Sequence, residues 1–441
     1  VSTPAGGPSR QADVIVVGAG PAGATTAYYL AKAGLDVLAV EKSKFPREKV
    51  CGDGLTPRAT REIECMGLPT TYERGWRRNK GLRLIGGGHS LEMPWPDVSA
   101  FPNYGLVRTR LGFDAELAAH AERAGARLLQ QHAVTAPIVD EKTGRVSGVR
   151  VRETDDAGRK TGPEADFRAP VVVAADGISA RMALALGLEK RDDRPMGVAV
   201  RTYFTSPRHD DDWLESWVEI RAKGTAGHPG PVLPGYGWVF GVGDGTSNVG
   251  LGILNSSKQF GKVDYRRVLR DWTDSTPEAW GFRPENQVGR VRGAALPMAF
   301  NRTPHYVPGM LLVGDSAGMV NPFNGEGIAY AMEAGRIAAD TIAQAFTRRP
   351  AMNADRELAA YPDRIKTAWG SYFTLGRGFV QVIGRPALMA LGIKYGMSSR
   401  TLMRFVVKLL ANLTEDPRHR RDGYDRVIHA LDRLVPATSN Q

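Results

Sequence analysis

Residues 12–41 read ADVIVVGAGPAGATTAYYLAKAGLDVLAVE. ADVIVVG, from Ala12 to Gly18, is an essentially apolar run, as expected of a strand buried on both faces of a parallel sheet. PAGATTAYYLAKAG then reads as a helix that Gly34 closes, and DVLAVE as the next strand. The three form one βαβ unit. Gly18, Gly20 and Gly23 have G-x-G-x-x-G spacing. The first two let the backbone turn tightly and approach a pyrophosphate, and the third lets helix and strand pack closely. Pro21 and Ala22 open the helix, whose free N–H groups and dipole favour phosphate. Glu41 lies 23 residues past Gly18. A carboxylate there accepts ribose hydroxyls and disfavours a 2′-phosphate; Lys42 stands beside it.

Two later segments decide which dinucleotide is expected. AADGISAR places Asp176-Gly177 after a second buried strand, and LLVGDSAG places Gly314-Asp315 after a third. Ligands bind at the carboxyl ends of strands in open α/β sheets. An NAD domain needs no such second and third stations, whereas a long, bent FAD does. Asp315 is placed to accept a ribityl hydroxyl. The next helix begins near NPFNGEGI, with Pro322, Gly325, Gly327 and Ile328 expected at the flavin edge, where a helix dipole favours the anionic reduced ring.

CGDGLTPRA, Cys51 to Ala59, fits no ordinary strand or helix. Gly52 and Gly54 read as sites of close approach to the flavin, and Asp53 as the residue that holds the turn by side-chain hydrogen bonds. Cys51 has two readings. It is the acid of the reaction, with an ordinary thiol pKa of about 8.5, or it only shapes the pocket.

Between these stations the period changes. FDAELAAHAERAGA is amphipathic, VSGVRVRE alternates, and GYGWVFGV, GDGTS and NVGLGIL read as a hairpin. The fold expected is α/β: a Rossmann-type domain with an antiparallel β domain and a helical C-terminal region. A disordered tail is expected over 1–11. The dinucleotide domain is expected to be discontinuous, over 12–75, 105–190 and 290–350. The β-sheet domain takes 76–104 and 191–289, and the helical region 351–441.

The chain has 441 residues, 42% hydrophobic and 24% charged, which is globular in character. Two cysteines cannot build a disulfide framework, so a cytoplasmic setting is expected. Cys65 reads as a small core residue. No metal site is expected. The net charge is +11, and residues 364–414 hold eight Lys/Arg and no Asp/Glu among apolar residues. That composition reads either as ordinary solvated helices or as a surface that meets anionic lipid at the inner face of the cell membrane. Nucleic acid is not expected, because no recognition module is present.

Together, GAGPAG, CGDGLTPRA, ADGISAR and GDSAGMVNPFNGEGIAYAMEAG resemble the geranylgeranyl reductase family, FAD proteins of the p-hydroxybenzoate-hydroxylase-like fold. The likeness is greatest to the actinobacterial branch that saturates a quinone tail. It implies reduction of polyprenyl C=C bonds, with hydride from reduced flavin N5 plus a proton. By position it implies that Arg110 contacts FAD, although Arg110 read alone could equally cap or salt-bridge. It also implies that Leu55, Tyr236, Trp238 and Phe240 contact substrate. Period 2 puts the three aromatics on one sheet face, as an apolar wall or as plain core. Gly241 stands where the family pattern often has Pro. No second dinucleotide unit is visible, so the electron donor is expected to be NAD(P)H bound transiently or a reduced protein such as ferredoxin. The same scaffold also serves flavin monooxygenases and halogenases of aromatic substrates; a lipid carrier or redox sensor is a third reading.

Overall fold

The computed structural model describes residues 10–224, 230–347, 354–415, 419 and 422–438. The opening βαβ unit forms as its pattern dictates: strand Val14–Val17, helix Pro21–Lys32 and strand Val37–Val40. These strands lie in a six-stranded sheet with Arg127–Leu129 on one side and Val171–Ala174, Met310–Leu312 and Tyr306–Val307 on the other. Its pairings are parallel except for the last. All four residues of Val14–Val17 are buried, which is why the run is apolar throughout.

A second sheet has seven strands, in the order Gln287–Pro297, Met196–Thr205, Thr246–Leu254, Gly235–Gly241, Trp213–Trp217, Gly81–Gly86 and His89–Pro94. The hairpin read from GYGWVFGV and NVGLGIL is present, with Trp238 opposite Gly250. Strand Gln287–Pro297 lies wholly in this sheet, so the sheet runs past residue 289. Gln11 bridges Arg168, so the ordered chain begins before residue 12, and residues 1–9 of the expected tail lie outside the described residues. Cys65 ends the helix Pro57–Cys65 with its side chain exposed. The helix buries Ala59 and Ile63 instead, so the expected core role falls to the opposite face.

The C-terminal region is helical: Tyr361–Ile383, Pro386–Gly396, Arg400–Ala411 and Gly423–Leu434. Tyr361–Ile383 packs in the core of the parallel sheet through Ile365, Trp369 and Phe373. The next two helices join the seven-stranded sheet, where Met389, Ile393, Met403 and Val407 meet Trp238 and Phe240 in one cluster.

A buried ion pair locks the helices together. Arg58, in the CGDGLTPRA segment, lies 2.7 Å from Glu333 on the long helix Ile328–Thr347 and donates to the Asn412 carbonyl. The Trp369 indole donates to the same Glu333 carboxylate at 3.0 Å. Removing one partner strands the other charge. Glu333→Ala is therefore expected to destabilise the fold by about 3–5 kcal/mol, read as a lower denaturation midpoint in urea. An unchanged midpoint would show that the pair is dispensable.

Candidate active site

A single cavity of about 780 Å³ joins the carboxyl ends of the parallel strands to the face of the seven-stranded sheet, under the C-terminal helices. Gly18, Gly20, Pro21 and Ala22 line one end, with Glu41, Lys42, Asp176, Gly177 and Asp315. Cys51, Gly52, Gly54 and Arg110 line the middle, with Pro322, Gly325, Gly327 and Ile328. Tyr236, Trp238 and Phe240 form a wall. Gly23, Asp53, Leu55 and Gly314 do not line the cavity. Leu55 is 1% exposed and packs in the core, because the backbone alternation that opens Gly54 to the cavity turns Leu55 away.

The first end fits a dinucleotide. A Cβ on Gly18 would lie 2.5 Å from the Ala175 carbonyl oxygen, and one on Gly23 would lie 1.9 Å from that of Gly18. The helix Pro21–Lys32 has no side-chain cap and no acid in its first turn, so its N–H groups are free for phosphate. Glu41 is held by the Ala19 N–H (3.0 Å), the Ser43 N–H (3.1 Å) and Arg47, which leaves acceptor sites for ribose. One oxygen of Asp176 is buried without a partner; the other accepts from the Met182 N–H. Burial pushes Asp315 up, opposed by Lys49 and Arg110. Arg110 makes a two-pronged pair with Asp114, at 2.6 and 2.8 Å, yet still borders the cavity.

The Cys51 loop is clasped from outside. Asp53 has left-handed backbone (φ +67°) and is fully buried. Its carboxylate accepts from the Tyr203 hydroxyl (2.6 Å), the Asn248 amide (2.8 Å) and the Arg110 N–H (3.2 Å). Asn248 also donates to the Cys51 carbonyl and accepts from the Trp238 indole, each at 2.9 Å. The expectation that Asp53 holds the turn is thus met by partners distant in sequence. The two glycines, which border the cavity, also admit the aromatic strand. A Cβ on Gly52 would lie 3.1 Å from Phe240, and one on Gly54 2.9 Å, so loop and aromatic strand touch. Burial pushes the Cys51 thiol up, with Arg110 pulling the other way.

The remaining walls are apolar. Tyr236, Trp238 and Phe240 follow one another at ring separations of 6.1 and 6.4 Å. The Tyr236 hydroxyl donates to the Asn324 carbonyl at 2.7 Å. At Gly241, a Cβ would meet the His209 carbonyl oxygen at 2.7 Å, so the strand ends under the backbone of the 208–209 loop. Phe379, Ile383, Met389, Ile393, Met397 and Met403 complete the far end. These, with Arg47, Lys49, Asn248 and Glu326, were not readable as site residues. Glu326 alone had a local signal, an acid between two glycines of NPFNGEGI. Lys80 pairs with Asp212, is largely exposed and is not in the cavity wall.

Residues 11–352 match the FAD binding domain family. This chain belongs to that family. It is an FAD-dependent oxidoreductase. The flavoprotein is 35% identical, over 96% of its length and 97% of the relative's, to a menaquinone reductase of Mycobacterium tuberculosis. It is 30% identical, over 76% of its length and 78% of the relative's, to a digeranylgeranylglycerophospholipid reductase of Thermoplasma acidophilum. A crystal structure of a geranylgeranyl bacteriochlorophyll reductase-like protein of the same organism shares the fold. The TM-score is 0.73 at 22% identity, covering 96% of this chain and 99% of that one.

The clasp makes a prediction. Asn248→Leu takes one of three donors from Asp53 and removes the Asn248 partner of the Cys51 carbonyl and the Trp238 indole, at about 1–3 kcal/mol for each buried group left unsatisfied. A lower urea midpoint and less FAD retained per chain are expected. Wild-type values for both would contradict the clasp.

Proposed function

We propose that the flavoprotein saturates C=C bonds in the polyprenyl chain of a lipid or quinone, the side chain of a menaquinone among them. The observation that carries this reading is the shape of the cavity. It begins in a phosphate and ribose cradle and continues, without a dividing wall, into a sleeve of aromatic and aliphatic side chains. A small aromatic substrate needs no sleeve of that kind. The menaquinone reductase relative, similar over nearly the whole chain, supports the same reading.

Bound FAD, once reduced, supplies hydride. The protein supplies position, dryness and a proton. Gly18, Gly20 and the helix start at Pro21 would hold the pyrophosphate, and Glu41 and Asp315 would take the ribose and ribityl hydroxyls. Cys51 and the Tyr236–Trp238–Phe240 wall confine the alkene between the flavin site and the sheet. The ring faces also favour positive charge growing on the more substituted alkene carbon. Met389, Ile393 and Met403 hold the rest of the tail and keep water out, which protects the reduced cofactor. The donor of electrons is NAD(P)H or a reduced protein such as ferredoxin.

Substrate is proposed to enter from an anionic membrane surface. Val382, Leu388 and Leu402 are each 40–50% exposed and also line the cavity, so the mouth opens among them. Leu391 and Tyr395 add exposed apolar surface. Arg385, Lys394, Arg400 and Arg404 are exposed on the same helices, whereas Lys408 is buried against Asp422 and Asp425. Among the described residues, no helix is long and apolar enough to cross a membrane.

Two experiments test the reading. Anaerobic incubation of reduced, FAD-loaded protein with an unsaturated menaquinone is expected to add two hydrogens per saturated unit, read by mass spectrometry. A product that gains oxygen or halogen in air, with the tail untouched, would overturn it. The protein is also expected to pellet with anionic vesicles at low salt and to be released as salt shortens the Debye length. Failure to pellet at low salt would remove the membrane surface from the account.

A further inference from the structure

Saturation of an alkene needs an acid, and the following rests on the reductase reading. Cys51, Tyr236 and Glu326 are titratable side chains that line the cavity beside the aromatic wall. Burial raises the Cys51 thiol, with Arg110 lowering it and the Asp53 carboxylate raising it. Tyr236 is also raised by burial, and its hydroxyl is committed to the Asn324 carbonyl.

Glu326 differs from both. The turn that carries it is closed by the Asn321 N–H to the Glu326 carbonyl and by the Glu326 N–H to the Asn324 side chain, each at 2.9 Å. Gly325 on one side is left-handed (φ +75°), and Gly327 on the other would bring a Cβ within 3.3 Å of Asp315. The turn thereby sits against the Asp315 station, and the carboxyl it carries acts on Tyr236, at one end of the aromatic wall. Its Oε1 accepts from the Thr56 hydroxyl at 2.6 Å, which ties it to the Cys51 loop. Its Oε2 is buried with no hydrogen-bond partner, although the residue as a whole lines the cavity and keeps some exposed surface. A buried carboxylate oxygen without a donor is unfavourable, and the protonated acid relieves it.

We propose that Glu326 is the acid of the reduction, giving its carboxyl proton to one alkene carbon while the other carbon receives hydride from the dihydroflavin. The π bond breaks, and its electron pair forms the C–H bond to the transferred proton. The hydride brings the pair for the second C–H bond. Two electrons pass from the dihydroflavin to the alkene, and the Glu326 carboxylate recovers a proton from solvent between turnovers.

The charges around Glu326 suit this task. Burial pushes its carboxyl up to about 7; the Thr56 bond and Arg58 pull down, and Glu333 pushes up. Tyr236 and Tyr330 are its other titratable neighbours, and both stay neutral, raised by burial. The acid is active when protonated. The rate of tail saturation is therefore expected to fall as pH rises through about 7.

Glu326→Gln keeps the shape and removes the proton, and Glu326→Asp keeps an acid. FAD content and reduction of the bound flavin by dithionite are expected to survive in both. Anaerobic reoxidation of the reduced flavin by an unsaturated menaquinone is expected to slow by about 10²–10⁴-fold in Glu326→Gln and less in Glu326→Asp. The falling limb of the pH profile is expected to vanish in Glu326→Gln and to persist in Cys51→Ala. Independently of turnover, the infrared difference between wild-type and Glu326→Gln apoprotein is expected to show a protonated carboxyl band that titrates near pH 7. Undiminished reoxidation in Glu326→Gln, or absence of that band, overturns the proposal. Wild-type protein that leaves the tail unsaturated overturns the reductase reading and the proposal with it.

Discussion

The structure turns on one buried carboxamide. Asn248 joins Trp238, the Cys51 carbonyl and Asp53 through both ends of its side chain. Trp238 belongs to the seven-stranded sheet, whereas Cys51 and Asp53 belong to the loop that leaves the dinucleotide unit. A buried amide must find partners for its polar atoms, and here finding them holds the Cys51 loop against the seven-stranded sheet. The left-handed turn at Asp53 is maintained because Tyr203, Asn248 and Arg110 all hold the same carboxylate. If that clasp is lost, the middle of the cavity loses its frame.

The cavity changes character along its length. At the dinucleotide end, charge is plentiful but paired: Arg47 lies between Glu41 and Asp114, and Arg110 grips Asp114. At the far end the lining is methionine, isoleucine and phenylalanine from helices that belong to no parallel-sheet unit. Methionine adapts to irregular gaps, which suits a flexible chain of repeated units. The boundary between the two regimes runs through Cys51, Thr56, Tyr236 and Glu326. Hydride and proton would have to meet the alkene at that boundary.

The dinucleotide half was legible in the sequence because its constraints are local. Gly18 and Gly23 are set by backbone contacts within or next to one βαβ unit, and Asp176 and Asp315 each follow a buried strand. That the three aromatics share one sheet face was legible from their period of two, which left wall and core open; they line the cavity, and Trp238 and Phe240 also pack in a buried cluster. What stayed hidden was long-range. Asp53 and Asn248 are 195 residues apart, as are the loop and strand they join. Gly52 and Gly54 were read as sites of close approach to the flavin, and the sequence does not say that Trp238 and Phe240 pack against the same loop. Leu55 faces the core, a matter of strand phase in a segment only two residues long. The C-terminal helices were read as basic and apolar without any sign that they roof the cavity. Cys65 was assigned to the wrong face because its helix is short and carries as many charged as uncharged residues from Arg58 to Cys65.

The central claim is that one cavity holds FAD at its polar end and a polyprenyl tail at its apolar end. A photoreactive polyprenyl quinone, activated on the FAD-loaded protein and mapped by peptide mass spectrometry, tests it most directly. The account predicts label on strand Gly235–Gly241 and on the helices over 379–411, reduced by competing menaquinone. Label confined to other surfaces, or unaffected by competitor, would contradict it.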